Sequence, residues 1–173
     1  MNKPSLVVIR RATMSDLQTI VSFNAALARE TEDRTLDAQI LQSGVKALLQ
    51  DPGKGWYGVA EKSDGSGQMI IVGQILVTFE WSDWRNGNFW WLQSLYVHPD
   101  HRQQGIFRQL YDYVQSQACL NREVICGFRL YVEEKNHQAH QAYANLGFQE
   151  TAYHMYEKEL PWTPPSFPTS SFK

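Results

Sequence analysis

Hydrophobic positions recur along the chain with two different spacings, one typical of strands and one typical of helices. The points at which the spacing changes divide the chain into ten predicted elements. Six segments carry the alternation, or the β-branched and aromatic residues, typical of strands: 5–12, 56–62, 68–81, 89–97, 126–133 and 150–160. Four segments repeat apolar residues at helical spacing: about 13–29, 36–50, a segment that follows the turn at 98 and runs to about 118, and 136–148. The predicted order is β-α-α-β-β-β-α-β-α-β.

Turn and capping residues set the ends of these elements. Thr13 or Ser15 is a suitable N-cap for the first helix. The stretch DPGKG (51–55) ends the second helix, because proline and two glycines cannot continue it. The segment PWTPPSFPTSSFK (161–173) holds four of the seven prolines, which predicts an irregular tail after a domain of residues 1–160.

The connections between strands predict a mixed α/β sheet. Three adjacent strands, 56–62, 68–81 and 89–97, are joined by tight turns and are expected to pair antiparallel. The strand–helix–strand unit from 89 to 132 predicts one parallel step, since a parallel connection needs a crossover.

Composition narrows the class of protein. The chain has 173 residues, of which 43% are hydrophobic and 20% charged, as in an ordinary globular domain with a buried core. Sixteen Lys and Arg stand against eighteen Asp and Glu, so there is no polycationic character and a general nucleic-acid binder is not expected. The apolar run in MNKPSLVVIRRA is too short for a signal peptide or a membrane span, so a cytoplasmic protein with no membrane partner is expected.

Cysteine and histidine spacing gives no sign of a disulfide framework or a metal centre. Cys119 and Cys126 lie seven residues apart, which is neither a disulfide pattern nor a zinc spacing, and this favours a reduced compartment. Five histidines are present, but no third ligand is placed by spacing beside His98 and His101. No metal site is predicted.

The segment VHPDHRQQGIF (97–107) combines a strand end, a proline turn and a helix start. The first backbone N–H groups of a helix have no partners within it, and the helix dipole favours an anion there. Gly105 lets the backbone approach a bulky ligand, while Arg102 and Arg108 add positive charge. The segment lacks the Gly-Lys-Ser/Thr of a triphosphate loop and the three glycines of a dinucleotide fingerprint. A phosphate site and an ordinary strand–turn–helix with a solvated arginine both explain it.

Two motifs resemble those of the GNAT acetyltransferases. VHPDHRQQGIF is similar to that family's acetyl-CoA loop, Gln/Arg-x-x-Gly-x-Gly/Ala after a strand ending in Val-x-Pro. NHQAHQAYANLGF has the family's Asn136, then Tyr143, then Leu146-Gly147-Phe148. The resemblance covers residues 6 to 160. It implies the GNAT fold: a mostly antiparallel mixed sheet, splayed at the cofactor site, with helices on both faces.

The resemblance also implies acetyl-CoA as the cofactor and carries the family's motif positions over to this chain. The residues expected to contact the cofactor are Leu95, Tyr96, Val97, Arg102, Gln103, Gln104, Gly105, Ile106, Phe107, Arg108, Asn136, Ala139 and Tyr143. By the same resemblance, Tyr143 is the catalytic residue and donates a proton to the leaving sulfur. A backbone N–H near Val97 polarises the thioester carbonyl where strand 89–97 splays from strand 126–132. The alternative explanation of Tyr143 is a helix residue packed on the core, and Asn136 can also be the helix N-cap.

Two departures from the family pattern affect the site. Phe107 replaces the second small residue of the loop, so it either packs beneath the helix or reshapes the cofactor pocket. In WLQSLYV, Gln93 and Ser94 stand where some relatives carry acids, and neither side chain accepts a proton usefully near neutral pH. The base is then a water chain or an acid elsewhere: Glu80, Asp83, Glu30 or Glu32.

The acceptor side is indicated only by charge and aromatic residues. Four tryptophans, 81, 84, 90 and 91, surround the turn WSDWRNGNFWW, and the acidic cluster at 30–32 follows the first helix. Together they could frame a pocket for a cation with an apolar part, although such a cluster is more often a solvated loop. Candidate substrate-binding residues are Glu30, Glu32, Trp84 and Gln93.

The resulting expectation is an N-acetyltransferase that moves the acetyl group of acetyl-CoA to a primary amine of a small molecule or peptide. Direct transfer in a ternary complex is favoured, because no motif places a histidine or other base beside either cysteine. A non-catalytic acyl-CoA-binding sensor is the alternative, and a partner-binding domain with exposed aromatics would have no CoA affinity. A homodimer is compatible with the resemblance, but the sequence identifies no interface.

Overall fold

The computed structural model describes residues 6–121, 124–158, 160 and 161, and the chain divides into two compact units between Tyr131 and Val132. The strands of the first unit are β1 Val7–Arg11, β2 Trp56–Ser63, β3 Met69–Ser82, β4 Gly87–Val97 and β5 Ile125–Arg129. Its helices are α1 Leu17–Glu32, α2 Ala38–Gln50 and α3 Ile106–Cys119, with 3-10 turns at Met14–Asp16 and Pro99–His101. The second unit contains α4, His137–Asn145.

The five strands form one mixed sheet in the order β1-β2-β3-β4-β5. The first four pair antiparallel, with α1 and α2 between β1 and β2 and short turns between the others, and β4 pairs parallel with β5 across the crossover helix α3. The predicted antiparallel pairing of the three central strands and the predicted parallel step are both confirmed.

Helices cover both faces of the sheet, as predicted. On one face, Ile20 of α1 and Val45 of α2 pack with Tyr57, Val59 and Leu76 in a buried cluster. Because successive strand residues point to opposite faces, the neighbours of these residues face α3 instead.

Close approach of α3 to the other face depends on a glycine. A Cβ atom placed on Gly73 of β3 would lie 3.2 Å from Cγ2 of Ile106 and 3.4 Å from Cδ1 of Leu110. Both of those side chains are fully buried, so α3 presses its apolar face directly onto the backbone of β3. This contact anchors the first turn of α3 at the end of β4.

The start of α1 is tied to the sheet by a buried carboxylate. Asp16 accepts two hydrogen bonds from Arg10 of β1, at 2.7 and 2.9 Å, and one from the backbone N–H of Thr13. Arg10 also contacts Glu61 of β2 at 2.5 Å. Burial alone would raise the pKa of Asp16, but the hydrogen bonds from Arg10 and Thr13 outweigh it and lower the pKa below its ordinary value.

The predicted last strand, 150–160, is wrong for the residues that the structure describes. Residues 150–158 and 160 contain no strand, and Tyr153, Met155 and Tyr156 are all largely exposed. Aromatic residues favour a strand only where a neighbouring strand supplies hydrogen bonds and packing, and this segment has no such ladder.

The predicted irregular tail lies, except for residue 161, outside the described residues. None of the described helices has the length and apolar character needed to cross a membrane.

Candidate functional site

A bulge interrupts β4 close to its carboxyl end. Gln74 pairs with Tyr96, and Leu76 pairs with Gln93. Between these two pairs β4 therefore contains one residue more than β3. Ser94, inside this bulge, has a φ of 44°, a left-handed value that a residue with a side chain seldom adopts. The bulge turns the following residues of β4 out of regular register.

The pairing between β4 and β5 is confined to the first half of β4. It runs from Asn88 with Ile125 to Trp91 with Arg129. Among the described residues, those of β4 beyond Trp91 pair with β3 alone. The two parallel strands therefore diverge before β4 reaches Val97, which is the splay predicted between them.

Beyond β4, the chain makes a tight loop and begins α3. Gln103 and Gly105 have φ values of 61° and 75°, so the loop contains two left-handed residues within three positions. The first hydrogen bond of α3 runs from the N–H of Gln109 to the carbonyl of Gly105, at 3.1 Å. The backbone N–H groups of a first helical turn point out of the helix start, so they and the helix dipole can receive an anion.

The space in front of this helix start is open. A Cβ atom placed on Gly105 would meet no heavy atom within 4 Å, and residues 102–105 are exposed. A phosphate group can therefore approach the backbone here without displacing any described side chain. The loop fits the pyrophosphate of a CoA-type ligand on this ground.

Arg102, predicted to contact the cofactor, is bound to other residues of the protein. Its Nη2 lies 2.5 Å from Glu30 of α1, and its Nε donates to the carbonyl of Val97 at 2.9 Å. The second oxygen of Glu30 accepts from the hydroxyl of Tyr96 at 2.7 Å. Arg102 thus joins the loop to the end of α1.

The hydrogen bonds from Arg102 and Tyr96 make Glu30 a poor candidate for the base. Burial alone would raise the pKa of Glu30, but the hydrogen bonds from Arg102 and Tyr96 outweigh it and hold the pKa below its ordinary value. A carboxylate whose two oxygens are both engaged and whose pKa is lowered is a poor acceptor for a proton.

Two other side chains of the loop and helix start also have protein partners. Gln104 accepts from Lys62 of β2 at 2.7 Å, and Arg108 donates to Asp112, one helical turn later, at 2.8 Å. Arg102 and Gln104 link the loop to α1, β4 and β2, whereas the Arg108 pair lies within α3. Because all three side chains already have protein partners, the backbone N–H groups are the donors left for an anion at this helix start.

The remaining candidate bases lie in different surroundings. Glu80 accepts hydrogen bonds from Trp91 and Arg129 on its two oxygens. Asp83 sits on the exposed turn before β4, where it accepts from the backbone N–H of Trp84 at 2.9 Å. Glu32 is exposed, has no hydrogen-bond or ion-pair partner among the described residues, and lines a cavity.

That cavity, of about 400 Å³, lies between α1, α2 and the face of the sheet that they cover. Its walls are mainly leucines and a valine, with Gly44 on the side of α2. Three polar residues, Asn24, Tyr57 and Ser94, line it where it meets the sheet. We call it the α1–α2 cavity. Because Ser94 belongs to the β4 bulge, the cavity reaches the point where β4 leaves β5.

The polar residues of the cavity belong to a buried hydrogen-bond chain. Gln74, fully buried in β3, donates to Asn24 at 2.7 Å and to the carbonyl of Ser94 at 3.2 Å. Asn24 in turn donates to the hydroxyl of Tyr57 at 3.0 Å. Burial raises the pKa of Tyr57, so its hydroxyl stays protonated at neutral pH despite hydrogen bonds from Asn24 and Ser94.

The predicted aromatic frame of the acceptor site is dispersed. Trp84 is 90% exposed on the turn before β4, whereas Trp90 is buried against Trp56 on the α3 face of the sheet. Gln93 donates to the hydroxyl of Thr78 at 2.9 Å. Of the four residues predicted to bind the acceptor, Glu32 alone lines the α1–α2 cavity.

The apolar residues predicted around the loop are placed by their burial. Ile106 is fully buried on the side of α3 that faces the sheet. Tyr96 is buried against Phe23, with ring centroids 5.1 Å apart. Leu95 and Phe107 are half-buried. The side chains of Ile106 and Tyr96 are thus used for packing, and their backbone is what remains for a ligand. The effect of Phe107 on cofactor binding stays a prediction to be tested.

In the second unit, Asn136 caps α4. Its side-chain oxygen accepts from the backbone N–H of Ala139 at 3.1 Å, which confirms the N-cap interpretation. Tyr143 is half-buried, its ring lies 6.0 Å from that of Phe148, and burial raises the pKa of its hydroxyl. A phenol that keeps its proton at neutral pH can act as a proton donor.

Sequence reasoning missed the residues that form the polar end of the α1–α2 cavity. A signal was present in Asn24, an amide within the apolar pattern of α1, and in Gln74, an amide within the run MIIVGQILV. A polar side chain at a buried position must find a partner, and here the two amides find each other.

Comparisons with known proteins agree with this geometry. A sequence model described as the acetyltransferase (GNAT) family matches residues 17–148. A crystal structure of a possible acetyltransferase from Clostridium difficile is 48% identical and superposes with a TM-score of 0.80 over 90% of this chain and 98% of that one. No match was found among curated proteins.

More distant structures share the fold. An aminoglycoside N-acetyltransferase in complex with CoA is 17% identical, with a TM-score of 0.70 over 92% of this chain and 98% of that one. A protein from Clostridium acetobutylicum described as a predicted acetyltransferase, solved with acetyl-CoA, is 19% identical, with a TM-score of 0.70 over 88% and 96%. With the family match over most of the chain and the 48% identical relative, these findings show that the chain belongs to the GNAT family of acetyltransferases.

Proposed function

We propose that this protein is an N-acetyltransferase that transfers the acetyl group of acetyl-CoA to a primary amine. The observation that carries the proposal is the exposed loop before α3, where Gly105 leaves open space in front of the backbone N–H groups of the helix start. The pyrophosphate of the cofactor would bind there, and the two structural relatives solved with CoA or acetyl-CoA share the fold that presents this loop.

The transfer forms one bond and breaks one. When bound, acetyl-CoA supplies an acetyl thioester, whose carbonyl carbon is attacked by the amine nitrogen while the carbon–sulfur bond breaks. A backbone N–H near Val97, where β4 has left β5, would stabilise the negative charge on the carbonyl oxygen. Tyr143 would give its proton to the leaving sulfur, and the amine loses a proton to solvent.

Direct transfer is supported by the positions of the cysteines. Cys119 is exposed at the end of α3 and Cys126 is half-buried in β5. Neither lines the α1–α2 cavity or belongs to the loop before α3. An acetyl-cysteine intermediate would need a cysteine at the site, so the amine is proposed to attack the thioester itself.

Thiol release from acetyl-CoA, measured with a panel of primary amines, tests the proposal. Tyr143→Phe is expected to lower kcat by about tenfold to a hundredfold while changing acetyl-CoA affinity much less, because the proposed general acid is removed and the aromatic ring is kept. Tyr153→Phe is the matched control, since Tyr153 is 83% exposed. Cofactor binding without turnover across the panel would favour the sensor function over the enzyme.

A further inference from the structure

The α1–α2 cavity has two chemically different ends. Asn24 and Tyr57, at one end, are 8% and 4% exposed and carry no charge. Glu32, at the other end, is exposed and carries a carboxylate. Asn24 and Glu32 lie on the same helix, eight residues apart, which separates them by about 12 Å along its axis.

We propose that the acceptor is an elongated amine with an apolar body and a second positive charge, bound along this cavity. Its reacting amine lies beside Tyr57 and Ser94, its apolar chain lies between α1 and α2, and its second cation pairs with Glu32 at the mouth. This inference rests on the proposed function and names the class of substrate for that site.

The buried end favours a neutral amine, which is the nucleophilic form. Tyr57, Asn24 and Ser94 offer hydroxyl and amide groups that can hydrogen-bond an amine, but no carboxylate that would stabilise an ammonium ion. Burial away from water disfavours the charged form of an amine and lowers its pKa. The end of the cavity that reaches the β4 bulge therefore assists loss of the proton that must precede attack.

The exposed end favours a cation. Glu32 is the last residue of α1, where the helix carbonyls already create a negative potential, so a carboxylate there is unfavourable for the helix itself. In the described part of the chain no cation pairs with Glu32, although Arg29 lies one turn before it. A ligand cation at the mouth would offset both sources of negative potential.

The wall formed by α2 is left open by a glycine. Gly44 lies inside α2, where alanine would make a more stable helix, and a Cβ atom there would meet nothing within 4 Å. Packing therefore gives no reason for a glycine at this position. The apolar walls beside it, including Leu41 and Leu48, suit a methylene chain.

Two amines of equal length test the proposal: octylamine and 1,8-diaminooctane, each assayed at saturating acetyl-CoA. The wild type is expected to use the diamine with a KM about threefold to tenfold lower, the range given by one partly exposed ion pair. Glu32→Gln is expected to raise the diamine KM to that of octylamine without changing kcat. Asp64→Asn removes one exposed carboxylate from the turn after β2 and should change neither amine.

A second pair of variants tests the cavity itself. Gly44→Leu places a side chain in the cavity, and is expected to lower kcat/KM for both amines by at least about tenfold. Gly44→Ala adds only a methyl group, favours the helix and should leave both amines close to the wild-type rate. Both substitutions introduce good helix formers, so loss of folding is not expected.

Three results would overturn the inference. The first is an equal KM for the two amines in the wild type. The second is an equal loss of activity with both amines in Glu32→Gln, which would assign Glu32 to proton removal. The third is full activity in Gly44→Leu. Acetyl-CoA affinity, measured by calorimetry in every variant, separates this inference from the function it rests on. Retained affinity with any of these three results rejects the substrate class alone, whereas absent affinity in the wild type rejects the proposed function.

Discussion

Ser94 adopts a left-handed backbone conformation in the middle of a strand, with a φ of 44°. Such a conformation costs a non-glycine residue about 1 kcal/mol or more, and it persists where the surrounding structure enforces it. Here the residue does two things: it forms the β4 bulge, and it brings a hydroxyl to the α1–α2 cavity. The residue with the strained backbone is therefore also one of the residues that line the cavity.

Two substitutions at Ser94 test the bulge. Ser94→Gly should leave the free energy of unfolding within about 1 kcal/mol of the wild type, because glycine adopts this φ freely but loses more entropy on folding. Ser94→Val should lower it by about 1–3 kcal/mol, because a β-branched residue is strained at positive φ. Urea unfolding measures both values.

The test depends on which of the two variants has the lower free energy of unfolding. A valine variant as stable as the glycine variant would mean that Ser94 does not hold this φ, and that the register shift between β3 and β4 lies elsewhere. Ser94→Gly also removes the hydroxyl from the cavity, so it should lower kcat/KM for the acceptor while leaving the free energy of unfolding nearly unchanged.

Arg102 shows where residue-level prediction from the sequence reached its limit. The motif indicated a positive charge at the helix start, and that charge is there, but its partners are Glu30 and the carbonyl of Val97. Glu30 lies 72 positions away in the chain. A long-range ion pair of this kind depends on the packing of α1 against β4, which periodicity does not contain.

At the scale of elements, the junction of β1, α1 and β2 depends on Asp16. The carboxylate is 6% exposed and bridges the start of α1 to Arg10, which also forms an ion pair with Glu61. Asp16→Asn keeps the shape of the side chain and removes its charge, so it should lower the free energy of unfolding at pH 7 by about 1–3 kcal/mol.

The pH dependence of this effect follows from the lowered pKa of Asp16. A carboxyl group whose pKa is lower in the folded state stabilises the fold at pH values above its unfolded pKa, and this contribution is lost as the pH falls through the folded value. The difference between wild type and Asp16→Asn should be fully present above an ordinary value of 3.8 and shrink below it. Asp112→Asn, in an exposed pair on α3, should differ by less than about 0.5 kcal/mol at any pH.

Urea unfolding of the three proteins at pH 7 and near pH 3 checks this account. A constant difference between wild type and Asp16→Asn across that range would show that the charge of Asp16 contributes nothing, and that shape alone matters.

The elements of the sheet were predictable where alternation and turns coincide. β2, β3 and β4 are bounded by glycine-rich turns, and each prediction came within two residues of the observed ends. The segment 150–160 also contains aromatic and apolar residues, yet residues 150–158 form no strand. Composition describes the preference of a segment, whereas a strand also needs a neighbour with which to pair.

The β4 bulge could not be predicted from the sequence. QSLYV reads as continuous strand, and no glycine or proline marks the extra residue. The register shift arises from pairing with β3, where Gln74 is held by Asn24 and by the carbonyl of Ser94. Because the α1–α2 cavity meets the sheet at this bulge, the polar end of the cavity was missed with it.

At the scale of the whole molecule, β4 connects the two proposed binding surfaces of the first unit. The α1–α2 cavity meets β4 at Ser94, on the face covered by α1 and α2. The loop before α3 follows Val97, the last residue of the same strand. In the proposed function, this one strand would position an acceptor beside the end at which an anionic cofactor would bind. Membership of the GNAT family is shown by the comparisons, and the use of both surfaces together is the proposed function.

Calorimetric titration of acetyl-CoA into the wild type, Gly105→Glu and Gly65→Glu tests this account most directly. Gly65 is the matched control, because it too has a positive φ, in an exposed turn, with nothing within 4 Å of an added Cβ atom. Binding to the wild type and to Gly65→Glu, with at least about tenfold weaker binding to Gly105→Glu, is the expected result, because the added carboxylate repels phosphates at the helix start. Equal binding by all three proteins would place the cofactor elsewhere, and no binding by the wild type would contradict an acetyl-CoA-dependent function.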